Sequence, residues 1–104
     1  MSQKISWNHL HDATLKTITV LWEESTAVLE LVTSSEPYGL TSIRANGLLK
    51  LIVPHEIPWG ISVSVNEANI QQFPEKKTSI LELEMQSGDI IRVEAAHISL
   101  DMAE

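Results

Sequence analysis

The chain of 104 residues contains no cysteine. Disulfides, zinc–thiolate centres and thiol catalysis are therefore excluded. A cysteine-free chain suits a reducing compartment, so a cytoplasmic protein is expected. Apolar runs are short, and none approaches the ~18–20 residues of a membrane-spanning helix. The stretch Met1-Ser2-Gln3-Lys4-Ile5-Ser6-Trp7-Asn8 lacks the apolar centre of a signal peptide. Basic residues are scarce, with 7 against 14 acidic ones, and the net charge is −7. The one pair of adjacent cations, Lys76-Lys77, directly follows Glu75. Binding a phosphate backbone needs a basic stripe, so nucleic acid is not an expected partner. The four glycines are scattered and form no phosphate-cradling loop. No serine lies in a nucleophile-elbow pattern.

What remains is mostly strand-like alternation. A chain of this length makes one domain, residues 1–104, and folding it removes roughly 65% of the unfolded surface from water. No repeat or low-complexity tract divides it. Two hairpins stand out. In the first, residues 14–22 pair with 26–33, and Ile18, Val20 and Trp22 alternate with Thr17, Thr19 and Leu21. A loop at Glu23-Glu24-Ser25-Thr26 would set Trp22 against Ala27, Val20 against Leu29 and Ile18 against Leu31, all on one face. Glu30 would face Thr19 on the other face, which also carries Leu21, Val28 and Val32. In the second hairpin, residues 79–85 pair with 89–95. A two-residue Ser87-Gly88 turn would mix the faces. A three-residue Gln86-Ser87-Gly88 loop, with Gly88 left-handed, sets Leu83 against Ile91, Leu81 against Val93 and Glu82 against Arg92. Glu82, Glu84, Arg92 and Glu94 then form a solvated polar face.

The middle of the chain is less regular. Asn46-Gly47 is a hairpin signal, but a turn there would pair Ile43 with Lys50 and mix both faces. One long strand from residue 40 to 53, kinked by a bulge at Asn46-Gly47, keeps them separate. Residues 66–73 read as a further strand, with a short helix over 67–72 as the alternative, and 73–77 as a loop. The densest irregularity is Pro54-His55-Glu56-Ile57-Pro58-Trp59-Gly60-Ile61. Pro58 removes a ladder donor and Gly60 permits positive φ, so the strand pattern breaks here. Trp59 is then either a lid on the core or an exposed anchor for a partner.

Few residues suggest chemistry. His9-Leu10-His11-Asp12 would place both rings on one face of a strand, where they could share a metal with Asp12 beside them. The bland reading is that Asp12 bonds backbone at the start of the strand and His11 packs beside Trp7. Glu82 and Glu84 share a face but lack the enclosed cleft that separates a catalytic pair. His55-Glu56 reads as a surface loop, and Asn66 as a loop-holding amide.

Two segments carry a resemblance. One is His11-Asp12-Ala13-x-Leu15. The other is Pro58-Trp59-Gly60-x-Ser62-x-Ser64-Val65-Asn66, followed by Leu81-Glu82-Leu83-Glu84-Met85-Gln86-Ser87-Gly88-Asp89. Together they resemble a group of small uncharacterised bacterial β-domains, similar to immunity-protein-like domains of polymorphic toxin systems. The resemblance spans most of the chain and implies no catalytic residue or cofactor. It makes His11, Asp12, Pro58, Trp59, Gly60 and Asn66 the candidate binding positions.

The expected fold is mainly β: a bent antiparallel sheet of five or six strands, as a half-barrel or small sandwich, with little helix. The expected function is a non-enzymatic protein-binding module, with a basic protein as partner because the chain is acidic. A self-associating protein, pairing through Leu21, Val28 and Val32 as a homodimer, is the alternative. A small metal-dependent enzyme using His9, His11 and Asp12 is the third reading.

Overall fold

A computed structural model describes residues 6–33, 39–61 and 63–102. The start of the chain through Ile5, and Ser62 of the second motif, lie outside the described residues. Six strands form one antiparallel sheet: β1 (Thr14–Leu21), β2 (Thr26–Val32), β3 (Leu40–Ile52), β4 (Val65–Phe73), β5 (Thr78–Met85) and β6 (Ile90–Met102). Their order across the sheet is β1-β2-β3-β6-β5-β4. Two three-stranded meanders are thus joined along the long central pair β3–β6. Only two short 3-10 turns, Trp7–Leu10 and Trp22–Glu24, interrupt the β structure among the described residues. No helix of these residues is long and apolar enough to cross a membrane.

One face of the sheet forms the core. A row of directly opposed side chains, Ile18, Leu29, Ile43 and Leu100, crosses four strands. Leu81, Leu83, Ile91 and Val93 continue it across β5 and β6 as paired residues. Such opposed apolar pairs are the unit of sheet stabilisation. Among the described residues no second sheet lies above the core, so the sheet must curl over its own inner face. Three extra residues produce the curl, because a bulge bends and twists its strand. Lys16 is inserted in β1, Leu49 in β3 and Asn66 in β4. The curl brings the two outermost strands together at one end. There Asp12 N–H donates to Val65 O, Val65 N–H to Ala13 O and Leu15 N–H to Val63 O, each at 2.8 Å. The sheet is therefore an open one whose edges touch at one end.

The second hairpin has the expected three-residue loop. Leu83 opposes Ile91, Leu81 opposes Val93 and Glu82 opposes Arg92, with Gly88 at φ +97°. Its outer face is half-buried rather than fully solvated, since Arg92 donates to Glu82 at 2.8 Å and to Glu94 at 3.1 Å. Donating to Glu94, and then to Glu82, raises the Arg92 pKa above its ordinary value. The strand over residues 66–73 is present as β4, so the helical alternative falls.

The first hairpin differs from expectation. Its loop is Trp22 to Ser25, one residue earlier, so Ile18 opposes Leu29, Val20 opposes Ala27 and Thr17 opposes Glu30. The cause is local. Ser25 adopts the left-handed conformation at φ +49°, which ends the 3-10 turn. Thr26 is buried and donates its hydroxyl to Glu24 O, which commits it to the strand. The two alternatives differ by two residues, so both keep the same face inward and parity could not separate them. Trp22 is consequently pushed out of the strand and is 85% exposed.

The long third strand is also confirmed, but its inserted residue is Leu49 rather than Asn46-Gly47. Gly47 still kinks the strand, at φ +66°, and a Cβ there would lie 2.8 Å from the Cβ of Ala96. Replacing Gly47 by Ala should cost about 2–3 kcal/mol, from the left-handed backbone and the clash together. In a denaturant double-mutant cycle with Ala96→Gly, the double variant should be about 1 kcal/mol less destabilised than the sum of the single effects, since only the clash is shared.

Candidate functional site

Of the six candidate positions, Trp59 and Asp12 bond directly to the turn 86–89 between β5 and β6, Pro58 and Gly60 flank Trp59, and His11 and Asn66 bond to each other beside Asp12. To reach β4 at the far edge, the chain leaving β3 must pass the ends of β6 and β5. It does so as the loop over residues 53–63, and Asp89 pins that loop. Asp89 is 4% exposed. Its Oδ1 accepts the N–H of Glu56 at 3.0 Å, and its Oδ2 accepts the N–H of Ile57 at 3.0 Å and the Ser87 hydroxyl at 2.8 Å. Burying a carboxylate is tolerated when donors surround it in this way. Sequence reasoning placed Asp89 in the hairpin without a role. An acid directly after a Gly88 bulge gave no signal of the distant backbone it would hold.

Pinning the loop has a backbone consequence. Ile57 takes φ +46°, a conformation unfavourable for a β-branched residue. The next turn carries Pro58, Trp59 and Gly60, with Gly60 at φ +133°. Trp59 N–H donates to Ser87 O at 3.1 Å, and the indole edge lies where a side chain on residue 88 would begin. Gly88 therefore seats the indole as well as closing the hairpin. Trp59 is nonetheless 77% exposed, and Ile61 78%. Trp59 is thus held at its backbone and one ring edge, and it does not close the core.

His11, Asp12 and Asn66 lie on the other side of the same turn. Asp12 sits at φ +68°, which a short polar side chain tolerates, and its carboxylate accepts from the Gln86 side-chain amide. The Gln86 backbone N–H donates to Ser64 O at 2.8 Å. His11 Nδ1 is 2.6 Å from the main-chain oxygen of Asn66. A carbonyl only accepts, so Nδ1 carries the proton. Asn66, the inserted residue of β4, donates to Glu84 at 3.3 Å. Of these residues His11 and Asn66 line an open depression of about 360 Å³, together with Trp7, Asn8 and Glu67. His11 and Trp7 therefore do share a surface.

The metal arrangement is not formed. His9 lies in the 3-10 turn rather than on a strand, and its Nδ1 accepts the Ser6 N–H at 3.0 Å. His11 is bonded elsewhere, so the two rings do not converge. Among the described residues no three His, Asp or Glu side chains are grouped to hold a metal ion.

No family model matches the chain, and no curated protein does. A similar solved structure is that of an uncharacterised protein from Neisseria gonorrhoeae. It is 16% identical, with a TM-score of 0.68 over 86% of this chain and 90% of that one. That likeness supports the curled six-stranded architecture as a whole.

Removing the Asp89 carboxylate strands three donors. Asp89→Ala should lower stability by about 2–4 kcal/mol, and the thermal midpoint by about 10 °C or more. Asp89→Asn should cost roughly half as much, because it keeps one acceptor. Calorimetry on the three proteins checks the order.

Proposed function

We propose that this chain is a non-enzymatic protein-binding module whose contact surface is the 53–63 loop, centred on Trp59. The observation that carries the reading is the combination of an exposed indole and a fixed backbone. An aromatic anchor held before the partner arrives loses little freedom on binding, and tryptophan is the residue most enriched among binding hot spots. Ile57 and Ile61 extend its apolar surface along the same loop. The strain at Ile57 is the kind of backbone cost that concentrates at working surfaces. The other side of the turn 86–89 bears Asp12, Glu67 and Glu84. With a net charge of −7, this favours a basic protein partner and fast, salt-sensitive association. Neutralisation of a basic toxin fits this chemistry, as the resemblance implies, and a cytoplasmic setting suits the cysteine-free chain.

Self-association through the outer face of β1 and β2 is less favoured. There Val28 lies between Thr19 and Arg44, and Thr17 donates to Glu30 at 2.9 Å, so polar side chains divide the apolar ones.

Affinity capture from the native host with wild-type and Trp59→Ala protein, at 50 and 300 mM salt, tests the reading. One basic protein should be retained in stoichiometric amount at low salt. Trp59→Ala should weaken it by about 2 kcal/mol, roughly 30-fold, while changing the domain's own stability by less than about 0.5 kcal/mol. Equal recovery by both proteins overturns the assignment of Trp59. A concentration-dependent dimer that persists in Trp59→Ala, with no other partner, overturns the module reading.

A further inference from the structure

The curled sheet has a second opening, beside the Trp59 loop but facing inward. β2 and β3 part after Thr26 and Asn46, their last opposed pair. Beyond that point β3 pairs with β6 alone, while β1 bends away to meet the chain leading into β4. Among the described residues no strand fills the space between β1 and the chain leaving β3. The result is a cavity of about 390 Å³ that reaches the core. Met85 and Ile91, both buried, lie at its base, and Leu15, Ile18, Val53 and Val63 form its walls.

The bulge at Lys16 shapes this opening. Leu15 opposes Leu31 and Ile18 opposes Leu29, so both face the core side. Without an inserted residue, positions 15 and 18 would point to opposite faces. The insertion turns both apolar side chains inward and leaves Lys16 at the mouth. His55, from the opposite side, also lines it. Among the described residues no carboxylate lines the cavity, although acidic residues outnumber basic ones two to one in the chain. A pocket of this size, lined largely by apolar side chains with Lys16, Thr17 and His55 as its polar groups, has the form of a small-molecule site.

We propose that this cavity binds a small amphipathic carboxylate, its hydrocarbon part against Leu15, Ile18, Val63 and Met85 and its anionic group at Lys16 and His55. The burial of the chain supplies the affinity, and the rim selects for negative charge. The ligand completes the wall that the sheet leaves open, so binding stabilises the fold.

Sodium octanoate below its micellar concentration is the probe, followed by methyl NMR on the intact chain. Methyl signals of Leu15, Ile18, Val63 and Met85 should shift with one saturable curve, and the thermal midpoint should rise by several degrees at saturation. 1-Octanol should bind at least tenfold more weakly, and acetate should leave these signals unmoved at the same concentration. Lys16 is exposed, so Lys16→Glu should fold normally while weakening octanoate about five- to tenfold. Equal affinity for octanol, or an unchanged octanoate affinity in Lys16→Glu, overturns the charge selection. Shifts that do not saturate, or that spread to Leu40 and Val32 on the far face, overturn the site itself.

Discussion

The bond set of Asp89 is the constraint on which the end of the sheet that carries Trp59 depends. A meander that must cross from the centre of a sheet to its far edge sends a loop over two strand ends. Such a loop carries backbone donors that no ladder satisfies. Here one buried carboxylate takes two of them, while the adjacent Ser87 hydroxyl binds the same carboxylate and accepts the Asp89 N–H at 3.2 Å. The loop is consequently a fixed surface. The left-handed Ile57 and the seated Trp59 both follow from this attachment, because each lies within two residues of a pinned N–H.

A second constraint is geometric. A single sheet without a covering layer can bury one face only by curling. Bulges at Lys16, Leu49 and Asn66 supply the bend, and the backbone bonds between the β1 and β4 ends lock it. Small side chains (Ala13, Ala27, Ala45 and Ala95) are buried on the concave side, where space narrows. The same bonds protect the start of both edge strands from pairing with another chain. The curl is incomplete between β1 and the later half of β3, and the inward-facing cavity is what that gap leaves.

Sequence parity resolved what parity can resolve. It selected the three-residue loop at 86–88 and the unbroken third strand, since the alternatives mixed faces. It could not select between two registers of the first hairpin, which differ by two residues and turn the same face of the strands inward. That choice rested on Ser25 adopting a left-handed backbone and Thr26 committing to the strand, and neither has an alternation signature. The inserted residues were likewise hidden. Leu49, Lys16 and Asn66 are ordinary strand residues, whereas Gly47, the visible irregularity, kinks the strand without shifting its register. The candidate binding residues were marked by their irregular composition. The attachment of Asp12 and Trp59 to the turn 86–89 was not, because Asp12 and Gln86 are separated by most of the chain.

Exposure alone does not distinguish a contact residue, and the two exposed tryptophans, Trp22 and Trp59, show why. Trp22 is more exposed than Trp59. It lies there because the hairpin register ejects it, and the bonds around it, from Ser25 N–H to Trp22 O and from Leu48 N–H to Ser25 O, hold the turn itself. Trp59 is exposed although its neighbours are organised around it. Its N–H is bonded to Ser87, its ring rests on Gly88 where a Cβ would begin, and the two residues ahead of Pro58 are tied to a buried acid. The cost of burying Asp89 and straining Ile57 is understandable if the indole must be found in one place when a partner arrives.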